Sequence, residues 1–112
     1  MTTKDTFALA VDYYQEERFD QARELLIEIL NLEPDAPEAL HLLGIIYYHL
    51  KEFETAEKYV RRGLDLNPNE AFAHFNLANI LRDNHRTDEA IKHFQKALQI
   101  NPTLNDAYYI KT

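Results

Sequence analysis

Five histidines, 19 carboxylates and no cysteine are the side chains through which this 112-residue chain could do metal or acid–base chemistry. His41 and His49 are spaced to face one side of a helix. Eight residues of helix nevertheless separate them by about 12 Å, too far for two ligands that must each lie ~2 Å from one zinc ion. His74 falls at a core-facing place, His85 at a turn and His93 on an outer face. The acidic residues spread over outer helix faces, as at Glu24, Glu28, Glu54 and Glu57. No nucleophile is spaced with a base, and neither a glycine-rich phosphate loop nor a metal-ligand spacing occurs. The pattern points to no catalytic residue, no metal and no cofactor.

Composition narrows the remaining classes. With 46% hydrophobic and 28% charged residues, the chain reads as one globular domain. Twelve Lys and Arg against 19 Asp and Glu leave a net charge of −7. Binding to phosphate backbones or anionic lipid draws on clustered Lys and Arg, so neither nucleic acid nor a membrane surface is an expected partner. No apolar run approaches the ~20 residues that span a bilayer, and Met1–Phe7 lacks the pattern of a signal peptide. A cytoplasmic location is the default expectation.

The elements that position these side chains repeat. Pro34, Pro68 and Pro102 recur at one constant step. The same step relates Ala22, Ala56 and Ala90, then Leu9, Leu43 and Leu77, then Leu30, Leu64 and Leu98. It also relates the small set Ala10, Gly44 and Ala78 and the larger set Leu26, Val60 and Phe94. Within a unit, Leu40, Leu43, Gly44 and Tyr47 follow one helical face, and Ala56, Val60, Gly63 and Leu64 a second. Each proline ends the helix before it, through its ring and missing N–H. The spacing predicts helices over 3–16, 20–32, 37–50, 54–66, 71–84 and 88–100, with a short one from 105. Asp35 with Glu38, and Thr103 with Asp106, are placed like capping boxes, and Asn69 like a simple N-cap.

These residues resemble the tetratricopeptide repeat family, whose unit is a 34-residue helix–turn–helix. The resemblance runs from Thr3 to Thr112 as repeats 3–36, 37–70 and 71–104, with a partial fourth repeat or capping helix over 105–112. It implies an all-α solenoid of antiparallel helical hairpins wound into a right-handed superhelix. It also implies a non-enzymatic module that binds a peptide or amphipathic helix of a partner protein in a concave groove. Thr6 and His74 depart from the family's large aromatic, and Glu17, Lys51 and His85 from its turn glycine.

A second stripe runs beside the core stripe on the first helix of each unit. It comprises Phe7, Val11 and Tyr14, then His41, Ile45 and Tyr48, then Phe75, Asn79 and Arg82, extended by Phe72 and Asn76. By the resemblance it faces the groove. Its first two sets are too apolar for a solvated face, so they either receive a partner or pack on neighbouring helices. Asn76 matches an asparagine recurring in arrays of the O-linked glucosaminyltransferase type, but Ala8 and Leu42 stand at the equivalent places. Chaperone co-factors of the family grip a terminal carboxylate with Lys, Asn and Arg. The matching places here hold Phe7, Val11, Leu42, Phe72 and Asn76, so that clamp is absent.

The end of the array carries a rival expectation. Residues 105–112 are too short to cover the last helix, leaving Ile91, Phe94 and Leu98 with Tyr108, Tyr109 and Ile110 as a surface for self-association into a homo-oligomer. A third reading makes the chain an N-terminal targeting domain of a larger enzyme, such as a glycosyltransferase.

Overall fold

A computed structural model of the protein describes residues 1–104. Among them are six helices and no strand: α1 (Thr3–Gln15), α2 (Phe19–Leu32), α3 (Pro37–His49), α4 (Phe53–Leu66), α5 (Ala71–Asp83) and α6 (Thr87–Ile100). Every boundary lies within one residue of its expected place. The expected helix from 105, with Asp106, Tyr108, Tyr109 and Ile110, lies outside the described residues. Each helix packs on its neighbours in the chain, and α3 also meets α5 directly, producing an elongated all-α stack of hairpins, 41 × 25 × 24 Å. No helix of the described residues is long and apolar enough to cross a membrane.

The turn inside each hairpin is built the same way three times. Glu17, Lys51 and His85 take left-handed backbone angles, with φ of 60°, 62° and 63°. This brings the N–H groups of Arg18, Glu52 and Arg86 back onto the carbonyls of Tyr13, Tyr47 and Leu81 at 2.8, 2.9 and 2.8 Å. Such a closure satisfies carbonyls that a helix end leaves open, and glycine is its usual residue. A side chain there costs roughly 1–2 kcal/mol, which the packed helices on either side outweigh.

Helix starts differ from the expectation. The capping box forms at α1, where the Thr2 hydroxyl accepts from the Asp5 N–H at 3.1 Å and the Asp5 carboxylate accepts from the Thr2 N–H at 3.2 Å. Asp35 and Asn69 do not cap: Ala36 and Glu70 occupy the N-cap places of α3 and α5, with no side-chain bond. Both expected residues stand one position too early. At α3, Pro37 removes an N–H that would need a partner and presets the helical φ. The side chains of Asn67 and Asn101 instead hold the inter-unit turns, accepting from the N–H groups of Asn69 and Thr103 at 3.3 and 3.1 Å. The Thr103 hydroxyl likewise turns back to Asn101, at 2.6 Å.

Small residues set the spacing of each pair. Ala10, Ala78, Ala22, Ala56 and Ala90 are at most 1% exposed, and Gly44 is buried among them. A Cβ on Gly44 would stand 2.5 Å from Val60 Cγ2, whereas one on Gly63 would meet nothing within 4 Å. Two apolar clusters result, one around α1–α3 and one around α4–α6, and Tyr47 packs on both. Leu104 closes onto the second. Leu9 is 36% exposed although Leu43 and Leu77 are fully buried, because no described helix precedes it.

Two polar groups tie the third unit together. His74 is buried; its Nε2 donates to the Pro68 carbonyl at 2.8 Å, and its Nδ1 faces His93 Nδ1 at 3.1 Å. Burial, then the neighbouring His74 and Arg61, push the His93 pKa down. His93 therefore belongs to the α5–α6 contact and not to a plain outer face. Outside it, Glu57 receives Arg61 at 2.8 Å and Arg86 at 2.6 Å, and Glu89 also pairs with Arg86 at 2.9 Å. This joins α4 to the α5–α6 turn. Burial opposes the Glu57 charge, but hydrogen bonds from the two arginines outweigh it and hold its pKa below the ordinary value.

Two stability measurements follow from this packing. Gly44→Ala destabilises the protein, because overpacking costs about 1–3 kcal/mol and exceeds the ~1 kcal/mol gained in helix propensity. Gly63→Ala stabilises it by about 0.5–1 kcal/mol; urea unfolding of the two variants reads opposite signs. Glu57→Gln lowers the unfolding midpoint at pH 7. A depressed carboxylate pKa contributes stability above the ordinary value of 4.5, and that contribution is lost as pH falls through the folded-state value. The gap between this variant and the wild type therefore narrows on acidification below pH 4.5, followed by melting curves across that range.

Candidate functional site

The first helices of the three units line a groove, because their small-residue faces pack on α2, α4 and α6 and leave their other faces to form its wall. The groove contains two hollows. One, of about 490 Å³, lies between α1, α3, the C-terminal half of α4 and the start of α5. Phe7, Val11, Tyr14, His41 and Phe72 line it, together with Gln15, Pro37, Glu38, Leu42, Val60, Gly63, Asn67, Glu70 and Ala73. The other, of about 260 Å³, is lined by Tyr14, Ile45, Tyr48, His49, Phe75, Asn76, Asn79, Ile80 and Arg82. Every residue of the expected stripe borders one hollow or the other, and Tyr14 borders both.

They do not border it equally. Phe72 is 53% exposed, a large aromatic at the rim. Phe75 is 6% exposed, and its ring stands edge-on to Phe94 with centroids 5.5 Å apart. Its place in the stripe is therefore also a core place. Phe94 belongs to the core in the same way. Expected on an open terminal face, it is 9% exposed, and the Arg82 guanidinium lies 5.9 Å from its ring. Of the described residues expected for self-association, Ile91 is 48% exposed and Leu98 is half-buried.

Polar partners inside the groove connect consecutive units. The Tyr48 hydroxyl donates to Asp83 at 2.5 Å, and the Tyr14 hydroxyl meets His49 Nε2 at 3.2 Å. Both contacts span the same distance along the chain, one position more than a repeat, so they are equivalents in successive units. Burial raises both tyrosine pKa values, and for Tyr48 the Asp83 hydrogen bond and charge add to it. Both phenols stay protonated at neutral pH. Arg82 pairs with its neighbour Asp83 at 3.1 Å. The Asn79 amide donates to the Phe75 carbonyl one turn back, at 3.2 Å. Asn76 is half-buried on the wall.

Burial also acts on His41. It lowers the His41 pKa more than the neighbouring Glu70 raises it, so the ring is neutral at neutral pH. The sequence pattern did not place Glu70, Gln15 or Asn67 in the groove, and singled out Glu38 only as a capping-box residue; all four border the larger hollow from helix ends and turns. Asp83 was also missed, and the available signal was its position one repeat and one residue beyond Tyr48. Among the described residues no group of three or more His, Cys, Asp or Glu is arranged to hold a metal ion.

Comparison with known proteins bears on this arrangement. Two family models, each described as tetratricopeptide repeat, match residues 7–71 and 71–104. No curated protein matches the sequence. Among solved structures, a mutant O-GlcNAc transferase of Thermobaculum terrenum is similar over 89% of this chain and 19% of its own, with 28% identity and a TM-score of 0.86. MamA of strain AMB-1 is similar over 90% of this chain and 55% of its own, with 29% identity and a TM-score of 0.82. The chain thus spans about a fifth of the first protein and about half of the second. The first such domain of Spaghetti (RPAP3), bound to an HSP90 peptide, shares 19% identity over 89% of this chain and 79% of its own, with a TM-score of 0.85. At that identity the likeness shows the fold alone.

The two groove phenylalanines separate by burial. Phe75→Ala destabilises the protein by about 3–5 kcal/mol, whereas Phe72→Ala changes stability by less than about 0.5 kcal/mol. Denaturant unfolding of the two single variants measures the contrast.

Proposed function

The chain belongs to the tetratricopeptide repeat family, and on that premise we propose that it is a non-catalytic binding module. It captures a peptide or amphipathic helix of a partner protein in the groove of α1, α3 and α5. The observation that carries this reading is the larger hollow, whose Phe7, Val11, Leu42 and Phe72 offer apolar surface beside polar edges. An exposed aromatic beside a concavity is the kind of group that dominates binding energy at interfaces. The partner's aliphatic or aromatic side chain enters the hollow, and Asn76 stands where it can bond a peptide backbone. The groove lacks the basic residues of a chaperone-tail clamp at the matching places, so an acidic terminal carboxylate is not the proposed ligand.

A second reading draws on the likeness to the O-GlcNAc transferase, in which a similar array makes up a fifth of a longer chain. In it, this groove presents partners to an enzyme carried on the same polypeptide. The groove chemistry is shared by both readings. Self-association through the last hairpin has a narrower basis, since Phe94 is buried and Ile91 is the exposed member among the described residues proposed for it.

Selection of a random displayed peptide library against the full chain tests the groove. Selected peptides lose about ten-fold or more in affinity on Phe72→Ala, with an unchanged melting temperature, and are indifferent to Ile91→Ser. The opposite pattern, with sensitivity at Ile91 and none at Phe72, overturns the groove in favour of the terminal face.

A further inference from the structure

The larger hollow has a charge character of its own. Its lining includes two acidic residues, Glu38 in the first turn of α3 and Glu70 at the N-cap of α5, and neither Lys nor Arg. Both carboxylates are exposed and belong to no ion pair among the described residues. Most acids of the described residues are likewise outside any ion pair, Asp20, Glu57, Asp83 and Glu89 being the ones with an arginine within 4 Å; what sets Glu38 and Glu70 apart is that both border one apolar hollow. Lys4 borders a neighbouring hollow with Glu38 but does not pair with it. Acids at helix N-termini relieve the helix dipole, which accounts for their position along each helix. It does not account for two of them flanking one apolar hollow without a cation.

We propose that this hollow selects a basic peptide, whose apolar side chain enters between Phe7, Val11 and Phe72 while a Lys or Arg beside it meets Glu38 and Glu70. The proposal rests on the groove reading above and specifies the chemistry of its ligand. The net charge of −7 favours approach of such a peptide from a distance. His41, on the wall of the same hollow, is neutral at neutral pH because burial outweighs the pull of Glu70, so it adds no opposing positive charge. The hollow that holds Arg82 is separate from this one and begins beyond Tyr14.

The test uses peptides selected from the random library, resynthesised with each Lys or Arg changed to Glu. Selected sequences are enriched in Lys and Arg beside an apolar residue, and the change to Glu weakens binding about ten-fold or more at low salt, less at high salt. Against Glu38→Lys/Glu70→Lys the preference reverses. Should that variant fail to fold, Glu38→Gln/Glu70→Gln abolishes the preference without reversing it. Amide chemical-shift mapping separates the two readings. Peptides that bind at α1, α3 and α5 with neutral or acidic flanks overturn the basic ligand and leave the groove standing. Shifts confined to α6, or a library yielding no binder, overturn both.

Discussion

The backbone of α3 at Gly44 lies so close to α4 that one added carbon would stand 2.5 Å from Val60. The corresponding approaches at Ala10 and Ala78 use fully buried alanines. This distance constrains everything outside it. Helices so close interlock along their small-residue faces, and the opposite faces of α1, α3 and α5 are turned toward one another. The groove is the remainder of that packing.

The groove wall has a structural part and an open part, and the two interleave along one stripe. Tyr14 and Tyr48 each reach the end of the next unit's first helix, at His49 and Asp83, so they fasten one hairpin to the next. Phe75 borders the smaller hollow and packs against the Phe94 ring behind it. Phe72, one turn nearer the helix start, has no such backing and stands half in solvent. On the proposed reading, binding is therefore concentrated near the N-terminal ends of α3 and α5, where Glu38 and Glu70 also lie. The C-terminal ends, crowded with hydroxyl, carboxylate and guanidinium partners, are mostly committed to holding the stack.

The third unit uses different chemistry at equivalent positions. Where the second unit places Leu40 and Tyr59, the third places His74 and His93, bonded to each other and to the Pro68 carbonyl. Buried polar groups are tolerated when each has a partner. No buried side-chain nitrogen or oxygen among the described residues lacks one. The helical hairpin thus accepts large changes of residue type at one place, provided the small-residue approach between its helices is kept.

The amino-acid sequence by itself determined the unit length, the six helix spans and the membership of the groove stripe. Each depends on local periodicity: the constant step between prolines, the pitch of the helix, and small residues recurring in register. Local rules could not place the caps, because Asp35 and Asn69 miss the N-cap by one position and backbone geometry decides which residue is last before the helix. Nor could they separate Phe72 from Phe75, which share a stripe and a residue type. Burial depends on what lies opposite, and Phe94, on the following helix, covers one ring and not the other. The charge of the larger hollow was likewise decided by tertiary structure. Glu38 and Glu70 lie at opposite ends of the 37–70 repeat, at the starts of α3 and α5, and packing of α5 beside α3 brings them to one cavity with no Lys or Arg in its lining.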